Sequence, residues 1–259
     1  MYSFKFDKFS FSRHIDEHPY SKNFDRHTHN EYEMLCFFEG EANYNVEGKI
    51  SRLQAGDVVI IPTGAYHNLS LLADCKYDRL LFYFDRDILP SEIMDKLDSL
   101  PFVISTSEYS RISNIFSRVN YYSTVYPQSD VEILVENLLK ELIINLTHIA
   151  DNTTYKHEYN ATVGKIIQYV ADHVREKIEL EDIASHLYLS KSHIQNIFCE
   201  YMGIGLKSYI ITKKIYQAQQ LINSGVKAGD VCDICGFNDY SSFYRAYRKV
   251  LGITPTKSK

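Results

Sequence analysis

Residues 179–202 read ELEDIASHLYLSKSHIQNIFCEYM, and their pattern decides the fold of the C-terminal part of the chain. Leu180, Ile183, Ala184 and Leu187 recur at helical spacing, so one face of a short helix is apolar. Ser190 then stands where an N-cap belongs, ahead of a second periodic run through Ile194, Ile197, Phe198 and Tyr201. Between those positions lie Ser192, His193, Gln195, Asn196 and Glu200. The second helix therefore has a stripe to bury and a face of hydrogen-bonding groups, and Gln and Asn can pair bidentately with adenine. Two helices joined by a short turn, the second presenting polar groups, make a helix-turn-helix pattern. A small helical bundle can show the same pattern, so one copy does not separate DNA binding from packing.

A second copy does. Residues 228–250, AGDVCDICGFNDYSSFYRAYRKV, repeat the plan: a short helix, a turn around Gly236-Phe237, an N-cap at Asn238 or Asp239, and another helix. Phe243, Ala246, Tyr247 and Val250 fall on the packed side. Tyr240, Ser241, Tyr244, Arg245, Arg248 and Lys249 fall outward or on its edges. Between the copies, residues 206–223 read as one long helix ending near Ser224-Gly225. A rigid connector suits two successive major-groove segments about one turn apart, on the order of 34 Å.

This tail resembles the DNA-binding domain of AraC/XylS-type transcription regulators. The resemblance rests on Leu180-x-x-Ile183-Ala184, Leu189-Ser190-x-Ser192, Ile197-Phe198, Gly203, Tyr209-Ile210, Ala218-x-x-Leu221, Gly236-Phe237-x-Asp239, Phe243-x-Arg245 and Gly252-x-Thr254-Pro255. Ala228 and Cys232 depart from the family's usual residues in the second unit. Carried onto matching positions, the resemblance implies base-facing roles for Ser192, Gln195 and Asn196, and for Tyr240, Ser241, Tyr244 and Arg245. Guanidinium chemistry suits Arg245 to guanine O6 and N7, while Lys191, Arg248 and Lys249 suit phosphates. An intradomain salt bridge is the competing role for Arg245.

Charge divides accordingly. Residues 1–160 hold 15 Lys/Arg against 24 Asp/Glu, and residues 161–259 hold 13 against 9. A mildly basic tail on an acidic body fits a nucleic-acid-binding domain joined to something else. No apolar run approaches the length a membrane span needs, and the start, MYSFKFDKFSFSRH, does not read as a signal peptide, so a cytoplasmic protein with no membrane partner is expected. The five cysteines are irregularly spaced and argue against a disulfide framework. Cys232-x-x-Cys235 invites a redox or zinc reading. Packing of small apolar residues inside a short helix is the stronger one, since no second Cys/His pair stands at zinc spacing.

Residues 1–100 read mostly as short strands: 32–38, 42–46, 58–61, 68–72 and 79–84. Turn signals separate them at 39–40, 47–48, 55–57 and 62–64. That rhythm suggests a small barrel or jelly roll. Within it stand His27-x-His29-x-x-x-Glu33, Gly40, and Gly56-x5-Pro62-x-Gly64-x-x-His67, which resemble the two motifs of the cupin fold. His27, His29, Glu33 and His67 match the set that binds a divalent metal in cupin enzymes, and three imidazoles with one carboxylate suit Fe, Mn, Ni, Cu or Zn. In AraC-type regulators the same positions often line an effector pocket or hydrogen-bond one another without a metal. Arg13, Arg26, Tyr44, Tyr66 and Tyr83 join them as pocket candidates by their places on strands or near the motif.

From Ile88 the period changes to that of helices. Residues 88–100 have short helical character, 109–121 a helical stripe, and 131–149 the cleanest helix of this half, with Val131, Leu134, Val135, Leu138, Leu139, Leu142, Ile143, Leu146 and Ile149 on one side. Part of that stripe should cover the barrel, and part could meet a second subunit. The polar run 151–162 reads as a linker, and Val163, Ile166, Ile167, Tyr169, Val170 and Val174 open the next domain.

The expected fold is α+β: a cupin-like barrel with helices over 1–150 (helices about 88–150), a linker over 151–162, and an all-α domain over 163–259 with two helix-turn-helix units joined by a long helix. The expected function is a ligand-responsive, sequence-specific transcription regulator rather than an enzyme, with promoter DNA and a small-molecule effector as partners. The family resemblance implies a homodimer, contact with RNA polymerase if the protein is an activator, and a sugar or related metabolite as effector. No cofactor is required, and a divalent metal in the barrel stays open. Two alternatives remain: a metal-dependent cupin enzyme with a helical appendage, and a DNA-binding protein whose barrel only dimerises.

Overall fold

β3 (Tyr32–Glu39) is buried along nearly its whole length, which an antiparallel strand reaches only when both of its faces are covered. The computed structural model, which describes residues 1–19, 24–149 and 158–256, shows what covers them. Tyr32, Met34 and Cys36 face a core shared with helices, while Leu35 and Phe37 face a second sheet. The alternation follows from the two-residue period of a strand. It places odd-numbered Glu33 on the side of Leu35 and Phe37, inside the barrel.

The chain divides into two compact units, Met1–Glu158 and Tyr159–Lys259. In the first, one sheet runs β1 (Tyr2–Lys5), β2 (Phe9–Asp16), β8 (Tyr77–Phe84), β3, β6 (Asp57–Ile61), β9 (Val103–Ser105). The facing sheet contains β5 (Lys49–Arg52), β4 (Ala42–Val46) and β7 (His67–Leu71) in that order. Strand pairs are antiparallel, with Glu33 opposite Tyr83 and Ile61 on either side, and Val46 opposite His67. Side chains from both inner faces, among them Leu35, Val59, Ile61, Tyr44, Val46 and Leu69, fill the space between the sheets.

Three helices close the outer face of the larger sheet: α1 (Ser91–Ser99), α2 (Ser110–Val125) and α3 (Gln128–Ile149). The apolar stripe of α3, Val131, Val135, Leu138, Leu139, Leu142, Ile143, Leu146 and Ile149, is buried there with Ile112, Ile115, Phe116 and Val119 of α2. Leu134 is only half-buried and Ile133 is exposed.

Sequence reading placed the five central strands within about two residues at each end and passed over β1, β2, β5 and β9. β2 alternates Phe, Ser, Phe, Ser and is a half-buried strand by pattern, but its neighbours offer few turn signals. β9 is three residues long, too short for any periodicity. Of the expected linker, residues 151–157 lie outside those described. Glu158–Tyr159 forms a two-residue strand, β10, and the next helix already starts at Ala161 because Asn160 caps it, its side chain accepting from the amides of Thr162 and Val163.

The second unit is all helical: α4 (Ala161–Asp172), α5 (Leu180–Leu187), α6 (Lys191–Met202), α7 (Leu206–Asn223), α8 (Ala228–Ile234) and α9 (Tyr240–Leu251). The long connector occupies the range its sequence predicts. Cys232 and Cys235 are free thiols buried with Ile215, Ala218, Val231, Phe243 and Tyr247, which is the packing reading of the Cys-x-x-Cys pair. Among the described residues no helix is long and apolar enough to cross a membrane.

Candidate functional site

Barrel topology brings His27, His29, Glu33 and His67 together, and one potential ligand atom from each lies within 4.8 Å of the others. His27 pairs with His67 through both backbone hydrogen bonds, each 3.0 Å. The turn at Pro62-Thr63-Gly64 closes with the Ala65 amide donating to Pro62 O, and the Gly64 amide donates to His29 O at 3.0 Å, which fixes the segment carrying the first two histidines.

Each histidine is oriented by the main chain. The Nδ1 atoms of His27, His29 and His67 lie 2.8, 2.9 and 2.9 Å from the carbonyl oxygens of Asp25, Glu31 and Ala65. A carbonyl only accepts, so all three Nδ1 atoms carry the proton. In the neutral rings every Nε2 is then an unprotonated acceptor. His29 Nε2 lies 2.9 Å from Glu33 Oε2. His67 Nε2 lies 3.3 Å from the same oxygen, in an arrangement that makes no hydrogen bond.

Two acceptors cannot meet at 2.9 Å without positive charge between them. Glu33 is 4% exposed. Burial alone would raise its carboxyl, but His29 and His67 hold it down to about 2, so it is ionised. A proton shared between His29 and Glu33 or a bound cation supplies that charge. Nδ1–H donation to backbone carbonyls is the arrangement that fixes histidines as metal ligands through Nε2. The orphaned buried Nε2 of His67 points the same way. The three nitrogens and one carboxylate therefore fit a divalent first-row transition metal.

Tyr44 and Tyr83 complete the group. The Tyr44 hydroxyl donates to Glu33 Oε1 at 3.3 Å and its ring lies parallel to that of His67. Tyr83 packs edge-on against His29. Arg26 stands at the border of this group, its Nε donating to Asn68 Oδ1 at 3.1 Å. Tyr66, next to His67 in the chain, is half-buried, and its amide donates to Glu47.

Arg13 does not belong to this site. Odd-numbered residues of β2, Phe9 and Phe11, face the helices, and Arg13 shares their side. It forms a two-point ion pair with Asp78, stacks over Phe38, and lines a cleft with Thr106, Ser113 and Phe116. The charged group that sequence reading missed is Arg79. It lies on the inner-facing register of β8 and is buried, bonded to Asp16 at 2.5 Å and stacked on Tyr77. Its odd position beside Leu81 and Tyr83 was the available signal.

In the helical unit, Ile194, Phe198 and Met202 bury one side of α6 while Lys191, Ser192, Gln195 and Asn196 are exposed on the other. Ser190 caps the helix, its hydroxyl accepting from the His193 amide at 3.3 Å. Lys191 reaches back to an ion pair with Glu181. α9 repeats the design. Phe243 and Tyr247 are buried, Tyr240, Ser241, Arg245, Arg248 and Lys249 are exposed, and Tyr244 is half-buried. Of the two N-cap candidates the cap is Asp239, which accepts from the Ser242 amide at 2.8 Å. Hydrogen bonding to Ser242 holds its carboxyl below the usual range. Arg245 donates to Ser242 Oγ at 3.4 Å, near enough to the Asp239 cap to help hold that carboxyl down. The predicted residues of each unit thus share one exposed face. Sequence reading passed over Tyr188, which ends α5 in the left-handed region at φ 55° and is 94% exposed at the turn.

Comparison with known proteins agrees with both halves in order. A family described as AraC-like ligand binding domain matches residues 11–120, and one described as helix-turn-helix domain matches residues 183–259. The Regulatory protein PocR of Salmonella typhimurium is 29% identical over 145 residues, 52% of this chain and 48% of that protein. The probable transcriptional regulator LumQ of Photobacterium leiognathi is 33% identical over 93 residues, 36% of this chain and 38% of that protein. The chain thus spans less than half the length of these relatives. The arabinose operon regulatory protein of Salmonella typhimurium is 22% identical over 239 residues, 87% of this chain and 82% of that protein. Among solved structures, ToxT of Vibrio cholerae aligns over 97% of both chains at 14% identity with a TM-score of 0.40. The chain belongs to the AraC-type family of transcription regulators.

Proposed function

We propose that this chain is a sequence-specific DNA-binding transcription regulator whose barrel senses a small molecule. The observation that carries the reading is the duplicated helix-turn-helix design: two helices, each capped at its start and burying one side, with α6 exposing amide and hydroxyl groups on the other and α9 hydroxyl and guanidinium groups. Ser192, Gln195 and Asn196 read base edges in the first unit, and Tyr240, Ser241, Tyr244 and Arg245 in the second. Lys191, Arg248 and Lys249 hold phosphates. Lys191 exchanges Glu181 for a phosphate when DNA binds.

The effector binds inside the barrel, among His27, His29, Glu33, Tyr44, His67, Tyr83 and Arg79. These groups are polar and buried, and they suit a hydroxylated or anionic metabolite. One relative is named for the arabinose operon, which makes sugars the first class to test. Where a divalent metal is held, His27, His29, Glu33 and His67 hold it through three Nε2 atoms and one carboxylate oxygen. It would supply a positive centre that orients an oxygen-bearing effector. The chain's own residues do the rest: the carbonyls of Asp25, Glu31 and Ala65 keep the imidazoles aimed inward, and Tyr44 steadies Glu33. Effector binding controls DNA binding by favouring one arrangement of the regulator over another. The regulator acts as a homodimer and, as an activator, contacts RNA polymerase.

The test is DNA binding by the full chain at a stated salt concentration, on DNA upstream of its own and neighbouring genes, against random competitor. It is run after chelation, then with Mn, Fe, Ni or Zn restored, each with and without a panel of sugars. Selective binding that a sugar or a metal changes is the expected result. Binding equal to that of random DNA in every condition refutes the regulator reading.

A further inference from the structure

Lys214 stands at the middle of α7 and is 5% exposed. Its Nζ donates to three main-chain carbonyls: Glu176 at 2.5 Å, Cys235 at 2.8 Å and Gly236 at 3.4 Å. An ammonium has three N–H donors, so the set is matched. Burial pushes this amine below the usual lysine value. The carbonyls are what make a charge tolerable there, since an ammonium without hydrogen-bond partners is costly to bury.

The three acceptors come from different halves of the helical unit. Glu176 lies in the connection from α4 to α5, in the first half. Cys235 and Gly236 form the turn that ends α8, in the second half, where terminal carbonyls lack helical partners and a cation is favoured. At the same spot the two backbones touch. Gly236 has φ +62°, and a Cβ there would lie 2.6 Å from Glu176 C and Lys177 N. No side chain larger than hydrogen fits. Among the described residues, α8 and α9 pack on α7 and on each other, α4, α5 and α6 pack together, and α6 packs on α7. Among the described residues, helix packing between the halves runs chiefly through α7. The Lys214–Gly236–Glu176 clasp is thus a second tie between them.

We infer that Lys214 is a positioning residue for DNA recognition: it fixes the separation and twist of α6 and α9, so that the chain reads two half-sites at one spacing. The inference rests on the DNA-binding reading and goes further by naming what sets the geometry of the reader.

The test uses the full chain. Selection from a random duplex pool gives the wild-type site, and footprinting divides it into halves. Affinity is then measured on that site and on versions with one or two base pairs inserted between the halves. Wild type should lose roughly tenfold or more on insertion, because half-site spacing is a geometric demand. Lys214→Met should bind the uninterrupted site more weakly, yet bind spaced and unspaced sites within about twofold of each other. Gly236→Ala, which keeps the lysine but forces apart the two backbones that supply its acceptors, should do the same. Lys214→Arg, which keeps the charge, should recover part of the wild-type discrimination.

A residue that only stabilises the fold would weaken every site equally and leave the insertion penalty unchanged, and that result overturns the inference. So does loss of helical circular dichroism in both Lys214→Met and Gly236→Ala, which would make the clasp a requirement for folding and not for spacing. A wild type that selects no sequence refutes the regulator reading instead. Hydrogen exchange then decides the clasp: amides at the end of α8 should exchange at least about tenfold faster in Lys214→Met while those of α6 stay unchanged, and equal rates would overturn it.

Discussion

Replacing Glu33 by Gln tests the charge reading of the barrel site most directly. The carboxylate is buried, lies 2.9 Å from His29 Nε2 and accepts from the Tyr44 hydroxyl at 3.3 Å. Its carboxyl is held at about 2 against an ordinary 4.5, and a tenfold change in proton affinity is worth about 1.4 kcal/mol. Ionised Glu33 therefore stabilises the fold by about 3 kcal/mol at neutral pH, which matches the cost of roughly 3–5 kcal/mol for breaking a buried ion pair. For a unit of this size the melting temperature should fall by roughly 6–12 °C. The sign with pH follows from the folded value lying below the unfolded one: the contribution is complete above about 4.5 and disappears as pH falls through about 2. At pH 3 less than half of it should remain. The assay is urea and thermal unfolding of both proteins at pH 7 and pH 3, with chelator present so that the protein's own groups are compared. A variant within about 0.5 kcal/mol of wild type at pH 7 would refute the reasoning, as would a difference that grows toward pH 3.

Three further outcomes are expected. Tyr44→Phe removes one donor to Glu33 while keeping the ring against His67, so it should cost about 0.5–1.5 kcal/mol in urea unfolding; a loss as large as that of Glu33→Gln would mean the ring and not the hydroxyl matters. Ser190→Ala removes the cap of α6 and should destabilise the helical unit by about 1 kcal/mol, seen as faster amide exchange in the first turn of α6 and not in α9. Arg245→Ala should weaken binding to the selected DNA site by roughly 1–3 kcal/mol and relax preference at one base pair, whereas Arg248→Ala should weaken all sequences alike and flatten the salt dependence; identical behaviour of the two would make Arg245 a phosphate contact.

How far the sequence reaches depends on which interactions a residue makes with its neighbours in the chain. α7 could be bounded from sequence because Gly205 and Ser224-Gly225 punctuate an uninterrupted helical run, and α6 and α9 because Ser190 and Asp239 cap them through amides three residues on. His27, His29, Glu33 and His67 could be grouped because cupin-like spacing encodes their convergence. Arg13 and Arg79 could not be sorted by residue type, since both are arginines on strands. Only the strand register tells that Arg13 shares the helix-facing side with Phe11 and that Arg79 lies inward with Tyr83. Register itself depends on which strands pair, and β2 with β8 is a pairing across more than sixty residues of chain.

The least legible features are those in which one partner is a backbone carbonyl, because a carbonyl has no letter of its own. The tautomers of the three histidines are set by Asp25, Glu31 and Ala65 acting through their main chain, and any residue at those positions supplies the same oxygen. Lys214 is the extreme case. Its neighbours Lys213 and Tyr216 suggest nothing beyond a polar edge on a long helix, yet its ammonium ends among three carbonyls drawn from segments about 38 and 21 residues away. Such a site also resists inference from composition, since a buried lysine without a carboxylate looks, on paper, like an error in the hydrophobic pattern. Gly236 is the one letter that betrays it. Its turn needs φ +62°, which a glycine adopts freely, but so would an asparagine at modest cost. What excludes every side chain is the approach of Glu176 to within 2.6 Å of where a Cβ would stand. The glycine is therefore read correctly as a turn from sequence and understood as a contact only from structure, and the spacing between the two DNA-reading helices turns on that difference.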